Sequence, residues 1–154
     1  MKQLTIKEDL KRTSSLNDII ILENVLKIKF PLNLKELIIQ YEGCTVEENV
    51  FFSEKVSSFF PINQFLYLCE SHIGGASIEA IYNGHFKDGI TEFIPFAIDP
   101  GGWDYNISIN QKSFGEIWLN PFDNGNQEYS FVASSLEEFI NGLISEDEAM
   151  KKGY

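Results

Sequence analysis

Residues 93–110 read FIPFAIDPGGWDYNISIN, and this stretch limits the fold more than any other. An apolar run at 93–98 meets Asp99-Pro100-Gly101-Gly102, after which Tyr105, Ile107 and Ile109 alternate with Asn106, Ser108 and Asn110. A period of two with a polar second face predicts a half-buried antiparallel strand. The residues between have the composition of a type II turn, with Pro100 at the second position and Gly101 at the third, where φ is positive. Such a turn accounts for the glycines without a phosphate or a metal. Trp103, directly after it, either folds back onto the sheet or points outward to anchor a partner.

Helices precede this hairpin. Asn17 or Asp18 is a suitable N-cap for a helix whose apolar residues include Ile19, Ile20, Leu22 and Leu26, closing at Phe30-Pro31. A second helix runs from Leu32 to about Tyr41 on the stripe Leu34, Leu37, Ile38 and Tyr41, with Gly43 at its stop. Short strands are expected at 50–52 and 65–69. Ser77 caps a third helix with Ile78, Ile81, Tyr82 and Phe86 on its apolar face. After the hairpin come strands at 116–120 and 129–133, separated by a turn over Asp123-Asn124-Gly125-Asn126. Ser134–Glu137 and Ser135–Glu138 both have capping-box spacing, so a last helix spans about 136–144. The order predicts an α+β domain at 18–145, a meandering antiparallel sheet packed with about four helices. Residues 1–17 read as a polar arm and 146–154 as a polar tail.

Charge narrows the partners. Residues 1–35 carry seven basic side chains against four acids, whereas 36–150 carry only Lys55, Lys87 and Lys112 against nineteen acids. The overall net charge is −11, and that body is at −16. Such a field disfavours nucleic acid and anionic membrane and attracts basic partners. No apolar run approaches the roughly 20 residues of a membrane span. The start MKQLTIKEDLKRTSS has no apolar core of a signal peptide, and Cys44 and Cys69 form no disulfide pattern, so a cytoplasmic location is expected.

Four blocks in this order resemble the SUKH superfamily, within it the Smi/Knr cell-wall-assembly-regulator type. They are ENVLKIKFPLNLKELIIQYEG, SIEAIYNGHF, FIPFAIDPGGWDYNISI and SFVASSLEEFINGLI. One block departs from the family pattern, with Glu42-Gly43-Cys44 where Asn-Gly-Gly is frequent. The resemblance implies a binding scaffold rather than an enzyme. Bacterial members are largely immunity proteins that neutralise toxins, many of them nucleases, and fungal relatives regulate wall assembly.

Catalytic and metal chemistry find little footing. There is no G-x-S-x-G, G-x-G-x-x-G or G-K-[ST], and any triad would depend on His72 or His85. Cys69 and His72 have ligand spacing but no second pair, so no metal and no cofactor is expected. A hydrolase built on carboxylates and a histidine stays as the enzyme alternative. The protein-binding reading uses Trp103 as anchor, with Asp99, Asp104, Glu116, Asp123, Glu128, Glu47, Glu48 and Glu54 as acidic groups for a basic toxin, possibly a nuclease. The same surface could serve a regulatory scaffold with another protein partner.

Overall fold

The computed structural model describes residues 1–9, 14–69, 76–120 and 129–154. Its first helix, α1 (Leu16–Leu26), is capped by Ser15 rather than Asn17 or Asp18. Asp18 instead serves as the third helical residue of a capping box, its Oδ2 accepting from Ser15 N at 2.7 Å while Ser15 Oγ accepts from Asp18 N at 3.2 Å. The helix also stops earlier than the proline predicts, at Lys27 with φ 57°. Buried Glu23 explains the early exit: it accepts from Phe30 N at 2.7 Å and pairs with Lys35 at 3.2 Å. That ties the linker to α2 (Leu32–Tyr41), whose buried stripe is Leu34, Leu37, Ile38 and Tyr41 as expected. Gly43, at φ 71°, follows because the ring of Tyr67 sits where a Cβ would go, 2.4 Å away.

The segment expected as a polar arm contains β1 (Ile6–Glu8), which pairs antiparallel with β2 (Thr45–Val46). Leu4 is buried, its N–H donates to the Tyr41 hydroxyl at 2.7 Å, and Thr5 donates to Glu48. One apolar side chain and a few polar bonds thus suffice to dock a sequence with no periodicity.

A three-stranded sheet comprises β3 (Glu48–Ser53), β4 (Ser58–Pro61) and, from the far end of the chain, β10 (Leu143–Ser145), in the order β10-β3-β4. A five-stranded sheet is formed by β5 (Gln64–Phe65), β6 (Phe93–Ile98), β7 (Asp104–Ser108), β8 (Ile117–Asn120) and β9 (Ser130–Ala133), antiparallel throughout. The strand expected over 65–69 is curtailed. Leu66 N donates to Phe96 O, Tyr67 N to Ala76 O and Leu68 N to the Glu42 carboxylate, so its backbone serves three different partners.

Helix α3 (Ile78–Lys87), capped by Ser77 as expected, lies against β6. Helix α4 (Leu136–Asn141) packs its Phe139 against Tyr105 and Phe96 from the opposite side. Strand β7 is therefore buried along its whole length rather than half-buried, and Asp104, Asn106 and Ser108 face protein instead of water. Of the two capping-box serines, Ser135 is the N-cap, and α4 ends at Asn141 so that the next residues can pair with β3. The expected tail carries a fifth described helix, α5 (Glu146–Lys151), held by a second capping box between Ser145 and Glu148. No helix among the described residues is long and apolar enough to cross a membrane.

Candidate functional site

The turn between β6 and β7 is not the expected type II. Gly102, not Gly101, has positive φ, at 87°. Gly102 N donates to Asp99 O at 3.0 Å and Asp99 N to Trp103 O at 2.8 Å, a three-residue hairpin loop ending in a left-handed glycine. The Asp99 side chain fixes this choice, because its Oδ1 accepts from Trp103 N at 2.7 Å. A short polar side chain thereby sets the orientation of the tryptophan.

Trp103 lies between the two orientations expected for it. It is half-buried and packs on the edge of the core, and its open side forms one wall of a groove of about 580 Å³. Tyr105, Leu119, Phe131, Phe59 and Val56 line that groove with it, and Asp99 stands at its rim. One boundary is fixed by the Tyr105 hydroxyl, which donates to Pro61 O at 2.7 Å. At another, Lys55 Nζ sits 4.1 Å from the centre of the Phe131 ring. Aromatic walls with few polar groups favour a partner side chain that can be desolvated.

The acidic candidates do not form one patch around this groove. Glu54 is exposed in the β3–β4 turn beside Lys55. Glu116 is half-buried, accepts from Trp118 Nε1 at 3.1 Å, and pairs through its backbone with Ser108, at the end of β7 away from Trp103. Glu47 lines a separate hollow of about 210 Å³ with Glu146 and Asp147, on the β10 side of the smaller sheet. Glu48 is structural: burial opposes its charge, but bonds from Thr5 and the nearby Lys2 hold its carboxyl below the usual value. Asp123 and Glu128 lie outside the described residues, as do His72 and the turn expected at 123–126.

Asp104 is the clearest correction. It has no exposed surface, so it is not the surface carboxylate its place beside Trp103 suggests. Its Oδ2 accepts from Asn106 Nδ2 at 2.6 Å and meets His85 Nε2 at 3.2 Å, while Asn120 Nδ2 lies 3.2 Å from the same His85 nitrogen. Nearby Tyr129, stacked on Phe93 at 4.2 Å, has its hydroxyl pKa pushed up by burial and then by Asp104. His85 completes the α3 face with Ile78 and Tyr82, whereas Phe86, assigned to that face from sequence, is 58% exposed. The spacing of 78, 82 and 85 carries the signal, but a histidine scores poorly beside a phenylalanine in an apolar count.

Among the described residues this His–Asp pair is closed off from solvent, its two side chains being 5% and 0% exposed. Among the described residues no group of three His, Cys, Asp or Glu side chains could hold a metal ion. Cys44 is a poor nucleophile, since burial first, and then Asp9, push its thiol up to about 11. Thiol reagents at neutral pH should therefore modify Cys44 only as fast as the fold opens, with full reactivity in denaturant. Mass-resolved labelling checks this, and rapid modification of the native protein would contradict it.

The geometry defines an α+β domain with buried polar groups on β7 and an open aromatic groove beside Trp103. A family model, SMI1 / KNR4 family (SUKH-1), matches residues 13–142. The chain belongs to that family. A comparison with curated protein sequences returned no match.

Proposed function

We propose that this domain is a non-catalytic immunity protein that neutralises a cognate toxin in the cytoplasm by binding it. The observation that carries the reading is the groove beside Trp103, open and aromatic, with Asp99 at its rim, on a body of net charge −16 over residues 36–150. A basic toxin, a nuclease being the natural case, is drawn by that field and anchored in the groove. Occlusion of the toxin's substrate groove then needs no chemistry from this chain. A regulatory scaffold for wall assembly, implied by the same family, would use the same groove for another protein.

Co-expression tests the choice. The reading expects an adjacent reading frame with a secretion-type N-terminal part and a variable C-terminal toxin domain. Cells expressing that domain should survive only with this chain present, and the two should co-purify. Survival without it, or no complex, ends the immunity reading. In the complex, Trp103→Ala should raise the dissociation rate by about tenfold or more with little change in association. Glu54→Lys should instead slow association and flatten its salt dependence. Equal loss of melting temperature in both variants would make the residues structural.

A further inference from the structure

Among the described residues strand β4 is the outer strand of its sheet, and its side away from β3 opens on the groove. The register pairs Val50 with Pro61, Phe51 with Phe60, Phe52 with Phe59 and Ser53 with Ser58. Ile62 N donates to Asn49 O at 2.7 Å, which makes that neighbouring pair a hydrogen-bonded one. Antiparallel ladders alternate, so Phe51–Phe60 and Ser53–Ser58 exchange bonds while Phe52–Phe59 and Val50–Pro61 do not. The N–H and C=O of Phe59 and the C=O of Pro61 therefore point away from β3. The Tyr105 bond to Pro61 O lies on that outward side. Pro61 has no N–H to leave unpaired, as suits a strand edge. Four consecutive β4 residues, Ser58 to Pro61, line the groove, which is how a strand edge rather than a strand face borders a hollow.

We infer that the groove receives an extended segment of the partner, which adds to the free edge of β4 through the N–H and C=O of Phe59. This rests on the immunity reading for the partner's identity, not for its geometry. The edge is short. Pro61 O is already held by Tyr105, and Ser57, with φ 51°, turns the chain at the other end. One partner residue exchanges both bonds with Phe59, and its neighbours' side chains meet the aromatic walls. Asp99 at the rim and Glu54 in the adjoining β3–β4 turn favour basic side chains on that segment, set against Lys55 at the Phe131 wall.

The test is backbone hydrogen exchange on the wild-type complex with the toxin domain from the adjacent frame. Protection of the Phe59 amide should rise by about tenfold or more, while the Phe60 amide, already bonded to β3, changes little. Phe59→Pro removes that donor and should weaken binding roughly fivefold to tenfold, whereas Phe59→Ala, which keeps it, should lose less. If Phe59→Pro does not fold, the wild-type exchange result stands alone. A complex that forms with no added protection at Phe59 overturns the edge inference and leaves the immunity reading intact. If no complex forms, the immunity reading fails, and an alternating Lys–Val decapeptide becomes the probe. Peptide-dependent protection of Phe59 then supports the edge inference, and its absence at millimolar peptide overturns it.

Discussion

Asp104→Ala should lower the unfolding free energy by about 2–3 kcal/mol, the range for breaking a fully buried hydrogen-bond network. The carboxylate lies on β7, the middle strand of the larger sheet, with no exposed surface. Its removal leaves Asn106 Nδ2 with only the Asp104 backbone oxygen, at 3.0 Å, and takes away the carboxylate that met His85 Nε2 at 3.2 Å, in a buried region. Each buried polar group left short of a partner costs about 1–3 kcal/mol, so the loss exceeds that of one hydrogen bond. Against a typical total of roughly 5–15 kcal/mol, the variant would be marginal at body temperature. Asp104→Asn, with one oxygen retained, should lose less. Urea unfolding followed by tryptophan fluorescence measures both, and a loss below about 1 kcal/mol for the alanine variant would show that water replaces the network. The same result separates folding from recognition, because the sequence alone places Asp104 beside Trp103 as a partner contact. In the native protein the two neighbours point into different environments.

That divergence shows what an alternating pattern can and cannot tell. Tyr105 and Ile107 against Asn106 and Ser108 correctly identify a strand and its two faces. A polar second face predicts solvent exposure, yet the whole of β7 is buried, and His85 from α3 meets Asp104 on that face. A local pattern records what a face is made of; only tertiary packing decides what lies over it. The turn was ambiguous for a related reason. Pro100-Gly101-Gly102 offers two residues able to take positive φ, and the Asp99 bond to Trp103 N selects the second. Strand β4 has no alternation at all, since Phe59 and Phe60 are both apolar, so the edge that borders the groove left no trace in periodicity. By contrast, α5 follows the same S-x-x-E spacing that correctly marked α4, and a polar composition alone hid it. Two of the groove's residues, Trp103 and Asp99, were thus legible in the sequence, while Phe59, Phe131 and Val56 come together only through the meeting of two sheets.

Glu42→Ala should cost about 3 kcal/mol or more, and Glu42 opens the Glu-Gly-Cys stretch that stands where the resemblance leads one to expect Asn-Gly-Gly. Glu42, at the end of α2, is only 4% exposed. Its Oε1 accepts from Ser14 N and Ser14 Oγ, both at 2.8 Å, and its Oε2 accepts from Leu68 N at 2.6 Å. One carboxylate thus joins the lead-in to α1, the end of α2 and the irregular segment after β5. Hydrogen bonds to a charged acceptor contribute about 1.5–3 kcal/mol each, and Leu68 N has no water to turn to in the core. An asparagine at this position, as in the Asn-Gly-Gly pattern, offers one carbonyl oxygen on a shorter stem, which cannot serve both segments in this way. Melting should fall by roughly 6–12 °C for a chain of this size. Glu42→Gln is the sharper variant: one of its two terminal atoms becomes a donor and must face a donor, so it should fall between the native protein and Glu42→Ala. Exchange of the Leu68 amide should accelerate in both variants before the strands of the larger sheet open. If that amide stays as protected as in the native protein, the carboxylate is dispensable and Gly43 with the Tyr67 ring above it holds the junction by packing alone.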